Sequence, residues 1–188
     1  MTDQIATSAP LVADTAPLGL DTPRIYVACL AAYNNGRLHG RWIDATDPHE
    51  VWEQVSAMLA ASPEPDAEEW AIHDYEGFGD YRLSEWESFE RVQEVAVFIE
   101  DYPAIGAELL SHFGGEMEDA KKAVEENYSG LYTSLASYAE ELTDNSADIP
   151  ENLAYYLDYE RMGRDMELSG DIFTIETAHD EVHVFWSH

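Results

Sequence analysis

Residues 24–45 read RIYVACLAAYNNGRLHGRWIDA. The run from Arg24 to Tyr33 is apolar, and Leu38–Ala45 resumes it after four polar or glycine residues. Asn35-Gly36 supplies the positive φ angles that a tight turn needs, so the stretch predicts strand, turn, strand. Working outward, DPHEVWEQVSAMLAAS (47–62) predicts a helix. Asp47 is its N-cap, Pro48 stands at N1, and Glu50 at N3 closes a capping box. Val51, Val55, Met58 and Leu59 form one apolar stripe. EWAIHDY (69–75) is the next strand. Together they predict a first domain over 24–82, an antiparallel sheet with one helix across it.

Beyond it the period changes to that of helices. Ser84 and Glu87 form a capping box, and Trp86, Phe89, Val92, Ala96 and Ile99 trace an inward face. A shorter helix opens at Pro103, with Ile105, Leu109 and Phe113 inward, and ends at Gly114-Gly115. EMEDAKKAVEE (116–126) makes a third helix. This predicts a helical domain over 83–126. Residues 127–188 read as a third, mixed domain. An extended piece is followed by a helix, DIPENLAYYLDYERMGRDMEL (148–168) is helical, and DIFTIETAHDEVHVFW (171–186) alternates as a β-hairpin. Residues 1–23, rich in Ala, Thr, Pro and Asp, are expected to form a flexible tail without the features of a signal peptide. The expected class is α+β, as an elongated chain of three small domains.

The 188 residues carry 39 Asp and Glu against 9 Lys and Arg, a formal charge of −30. With 45% hydrophobic residues this is not the composition of a disordered acidic chain. Such a surface repels nucleic acid and anionic membranes and attracts basic grooves. No stretch approaches the apolar length that spans a bilayer, and a soluble, cytoplasmic protein is expected. The single cysteine, Cys29, sits among apolar residues and reads as core.

The charge is uneven. Residues 1–63 are net −4, 64–119 net −15, 120–139 neutral and 140–188 net −11. Glu87, Glu90 and Glu94 fall at helical spacing on one face. Neighbours there are ~6 Å apart along the axis, and like charges cost ~0.2–0.5 kcal/mol per pair. Glu100 and Asp101 end that helix, and Glu108, Glu116, Glu118 and Asp119 follow. The third domain adds Glu140, Glu141, Asp144 and Asp148, then Asp158, Glu160 and Asp165. Ordinary solvated surfaces mix both signs. Duplex DNA carries one charge per ~1.7 Å of axis, so −30 corresponds to roughly 50 Å of duplex. These acids are the expected partner-binding residues, taking basic contacts meant for phosphates.

Other chemistry finds little footing. HDEVH (179–183) has Asp180 where a zincin places its general-base Glu, and it lies in a strand pattern. DNSADIPENLAY (144–155) departs from a calcium loop at Ile149 and Tyr155. The triplet Asp-Tyr-Glu occurs at 74–76 and 158–160, but Asp74 with Glu76 and Asp158 with Glu160 are not distinguished from the other acid pairs as a catalytic dyad. Tyr75 and Tyr159 are expected to face inward and their acids outward. The five Trp read as core anchors. No catalytic residue, metal or cofactor is expected.

Four blocks together resemble a known family, the ArdA antirestriction proteins. IYVACLAAYNNGRLHGRWID carries its Tyr-x-x-Gly-x-x-x-Gly-x-Trp pattern at Tyr33, Gly36, Gly40 and Trp42. EEWAIHDYEGFG (68–79) is similar to its second signature. YSGLYTSLASYAEEL (128–142) has Tyr128, Gly130, Tyr132 and Ser134 of its Tyr-x-Gly-x-Tyr-x-Ser block. DIPENLAYYLDYERMGRDM (148–166) resembles its antirestriction motif. The resemblance covers about residues 24–186 and implies a non-enzymatic, three-domain DNA mimic that binds the DNA groove of type I restriction–modification complexes. Such proteins are typically carried by plasmids, transposons and phage. It also implies a homodimer whose contact includes Leu153, Tyr155, Tyr156, Tyr159 and Met162. The residues alone leave open an acidic module for another basic protein, a salt-adapted surface, or a hydrolase.

Overall fold

The protein is described here by a computed structural model over residues 22–146 and 148–187. The expected tail lies outside the described residues, apart from Thr22 and Pro23. The architecture is α+β, with two small antiparallel sheets and helices packed on them.

The first sheet has the order β2-β1-β3, from β1 (Arg24–Cys29), β2 (Gly40–Asp44) and β3 (Trp70–Glu76). Ile25 faces Ile43 on one side and Tyr75 on the other. The expected ten-residue strand stops at Cys29. Leu30–Asn34 instead forms a short helix, α1. Gly36, at φ 72°, serves as that helix's stop rather than as a hairpin turn. The amide of Gly36 bonds the Tyr33 carbonyl and that of Arg37 the Ala32 carbonyl, a Schellman pattern. A glycine at positive φ fits both readings, and the two extra carbonyl bonds decide between them. Cys29 is buried, as expected.

The helix α2 (Pro48–Ala60) follows its sequence closely. The Asp47 carboxylate accepts from the amides of His49 and Glu50, and Val51, Val55 and Met58 are buried. Glu50 does not reach back to the cap; its carboxylate accepts from the Gln54 side chain. The next helix starts four residues later than expected. The amide of Ile72 bonds the Glu85 carbonyl, which ties this segment to the edge of β3. α3 (Phe89–Asp101) therefore begins later, with Ser88 Oγ accepting from the amide of Arg91. Ser84 Oγ accepts from the amide of Trp86 in a local turn. Trp86 was expected on the inward face and is 65% exposed. None of the five Trp is fully buried, so the reading of all five as core anchors is corrected.

α4 (Gly106–His112) and α5 (Met117–Glu125) complete the helical segment. β4 (Tyr128–Tyr132) leads into α6 (Leu135–Ser146), then α7 (Glu151–Ala154), α8 (Tyr159–Ser169), β5 (Ile172–Ala178) and β6 (Glu181–Trp186). The expected helix over 148–168 is thus two. Asp158 lies outside both helices and caps α8, its side chain accepting from the amide of Arg161. The second sheet has the order β4-β6-β5, and the expected hairpin turns at Asp180.

One apolar cluster runs from Ile25, Val27 and Ile43 through Val92, Val95 and Phe98 to Leu109, Leu110 and Ala120, and takes in Ile175 and Phe185. A stack continues it, with His112 on Phe173 at 4.3 Å and Phe173 on Phe185 at 4.8 Å. A smaller cluster holds Tyr138, Ile172, Val182 and Val184. Each large side chain so buried contributes ~1.5–3 kcal/mol. α6 and α8 meet closely at Gly163, where a Cβ would lie 2.6 Å from the Leu135 carbonyl oxygen.

Candidate functional site

The inward stripe of α3 leaves its other face to solvent, and Glu90, Glu94 and Asp101 share that face with half-exposed Val97. Glu100 is exposed beside them. Glu87 is not in the helix and is half-buried, so the expected row of three at helical spacing is a row of two. Glu94 also lies 2.7 Å from Arg91 and 3.7 Å from Lys121 of α5, which joins the two helices. Glu118 and Asp119 stand exposed in the first turn of α5, where the positive end of the helix dipole stabilises them. Glu116 is exposed just before it, and Glu108 of α4 is half-buried.

In the C-terminal part Glu140, Glu141 and Asp144 project from α6, with Asp148 beyond it. Asp158, Glu160 and Asp165 line α8, all exposed. Asp165 has Arg161 at 3.6 Å, and Glu141 accepts from the Tyr132 hydroxyl at 3.2 Å. The Tyr159 phenol is held above the ordinary tyrosine value by desolvation, then by Asp144 and Glu140. Of the expected partner-binding acids, only Glu94 and Asp165 have a Lys or Arg within ion-pair distance among the described residues.

The two Asp-Tyr-Glu triplets do different local work. Glu76 accepts from Arg24 Nε at 2.8 Å, and Asp74 accepts from the amide of Tyr75. Tyr75 is half-buried with its ring edge-on to Phe78. In the second triplet Asp158 is a helix cap and Glu160 is exposed, while Tyr159 is half-buried.

Most of the expected dimer residues are exposed. Tyr155 is 95% and Tyr156 84% exposed, Leu153 is exposed, and Met162 lies at the edge with Sδ 3.6 Å from Thr143 Oγ1. Leu157 and Leu168 are exposed as well and were not among the expected contact residues. His183, weighed as a metal ligand, is instead buried on β6 with Tyr128. His179 lies in the turn, with Nδ1 2.8 Å from Asp180 Oδ2.

A model of the family described as antirestriction protein (ArdA) matches residues 25–181. The chain belongs to the ArdA family. No curated protein matches it. The ArdA pattern residues quoted above take architectural places. Tyr33 stands edge-on to His73 at 4.6 Å, and Trp42 packs on Tyr26 with the Arg24 guanidinium over its ring. Ser134 Oγ accepts from the amide of Ser137 where α6 begins. The ArdA family is one of antirestriction inhibitors, and no helix among the described residues is long and apolar enough to cross a membrane.

Proposed function

We propose that this chain inhibits type I restriction–modification enzymes by mimicking duplex DNA. In this reading three small modules along an elongated chain carry the carboxylates into the enzyme's basic groove. Two chains join through the patch around Tyr155 and Tyr156, doubling the length of groove covered. The chain works by occupancy and without catalysis. The observation that carries the reading is that the acids of α3, α5, α6 and α8 are mostly exposed and few are neutralised by bases. An acidic surface tuned for stability would pair them with Lys or Arg.

The test is a competition experiment. The chain is titrated into a type I restriction–modification enzyme holding labelled duplex, at several salt concentrations. DNA is expected to be displaced, and the potency to fall steeply as salt rises, because phosphate-like contacts release counterions. Undiminished DNA binding at an excess of the chain overturns the reading.

A further inference from the structure

Residues 64–119 hold 17 acids and two bases, Arg82 and Arg91. A base in this segment weakens its attraction to a basic groove. Arg82 is exposed, with no acid at ion-pair distance among the described residues. Arg91 of α3 is placed differently, with its side chain 24% exposed and both ends of its fork in use. Nη1 donates to Glu94 Oε2 at 2.7 Å, three residues on along the same helix. Nη2 donates to the carbonyl of Gly115, in the turn between α4 and α5. Tyr81 closes the same spot, since a Cβ on Gly115 would lie 3.2 Å from the Tyr81 hydroxyl and 3.8 Å from Arg91 Nη2.

Gly115 governs the chain that follows it. Gly114 and Gly115 have positive φ angles of 62° and 92°, and two successive glycines make a soft connection between helices. Glu116, Glu118 and Asp119 come within the next four residues, all exposed at the start of α5. Where they point depends on how that turn is held. A rigid guanidinium fork that reaches both acceptors holds the turn at a set distance from α3, whose own acids are Glu90 and Glu94. Lys121 at 3.7 Å from Glu94 is a looser second tie. A glutamine at 94 would keep an oxygen acceptor for Arg91, so the brace does not depend on the charge of Glu94. We propose that Arg91 is a positioning residue for inhibition, setting the acids of α5 in register with those of α3. This rests on the mimicry proposed above and refines it. Diffuse attraction depends on how many charges there are, whereas register depends on where they stand. Removing Arg91 makes the chain more acidic, which strengthens diffuse attraction, and loosens the register, which weakens a fitted contact.

Arg91→Gln and Arg82→Gln make the same chemical change in the same acidic segment. Each full-length variant is titrated into the type I restriction–modification enzyme holding labelled duplex, at several salt concentrations. Concentrations are counted per folded molecule, from circular dichroism and denaturant unfolding. Arg91→Gln is expected to need about tenfold more protein to displace half of the DNA, and to depend less steeply on salt, because fewer carboxylates engage at once. Arg82→Gln should match or slightly exceed the parent. A merely structural role would lower the folded fraction and leave the salt slope unchanged. Arg91→Lys keeps the charge without the fork and should lose several-fold, and it carries the test should Arg91→Gln fold poorly. Potency equal to or above the parent's in either Arg91 variant, or an unchanged salt slope, overturns the positioning role. If the parent still displaces DNA in that case, the mimicry stands. A parent that displaces no DNA overturns the mimicry and this role with it.

Discussion

The Tyr128 hydroxyl on the outer strand β4 lies 2.8 Å from Nδ1 of His183 on the central strand β6, within hydrogen-bond distance. The hydroxyl can donate to a bare Nδ1 or accept from a protonated one. His183 is 8% exposed. Burial pushes its pKa below the ordinary 6.5, with Glu181 pulling weakly the other way, and burial holds the Tyr128 phenol above its usual value. The unfolded chain therefore takes up a proton on this residue before the folded one does. The contribution is intact above pH 6.5, falls as pH drops through that value, and levels off once the folded histidine also protonates. His183→Gln should lose less stability than the parent between pH 7.5 and 5.5, measured by denaturant unfolding. Equal losses would show that the ring titrates normally.

Gly163 lets α8 approach the backbone of α6. A methyl group there meets the Leu135 carbonyl, which cannot rotate away. Gly163→Ala should cost about 1–3 kcal/mol by overpacking, despite the higher helix propensity of alanine. Thermal unfolding reads it directly, and an unchanged or raised Tm would mean that the two helices part easily.

The exposure of Tyr155 and Tyr156 gives them little part in the fold of a single chain. Replacing both with Ser should leave monomer stability within ~0.5 kcal/mol. If the patch joins two chains, the same variant should sediment as a monomer where the parent is a dimer. A variant that remains dimeric would move the contact to another face.

Glu90 and Glu94 are one turn apart on α3 but differ in company. Glu94 stands between Arg91 and Lys121, whereas no base is paired with Glu90 among the described residues. Glu94→Gln should lower stability by ~0.5 kcal/mol through the lost tether to α5. Glu90→Gln should leave stability unchanged or slightly higher and reduce inhibitory potency more than Glu94→Gln does, about two- to threefold. The reverse order of potencies would show that paired acids are released on binding.

Punctuation residues made much of the fold legible. Asp47-Pro48 set the start of α2, and alternation across Asp180 set the final hairpin. The start of α3 was not legible, because Ser84 and Ser88 are both competent caps. A bond from Ile72, distant in sequence, occupies the chain at Glu85 and leaves Ser88 to begin the helix. Trp86 turned outward for the same reason. The acid rows could be counted from sequence, but the approach of Lys121 to Glu94 depends on how α5 packs against α3.

Phe185 and Ile175 belong to the apolar cluster that α3, α4 and α5 share with the first sheet. The ribosome makes them after every helix of that cluster. The nascent chain therefore emerges with an apolar seam along those helices that no earlier segment can close. Chaperone occupancy on translating ribosomes should persist across this interval and fall once β6 has cleared the exit tunnel.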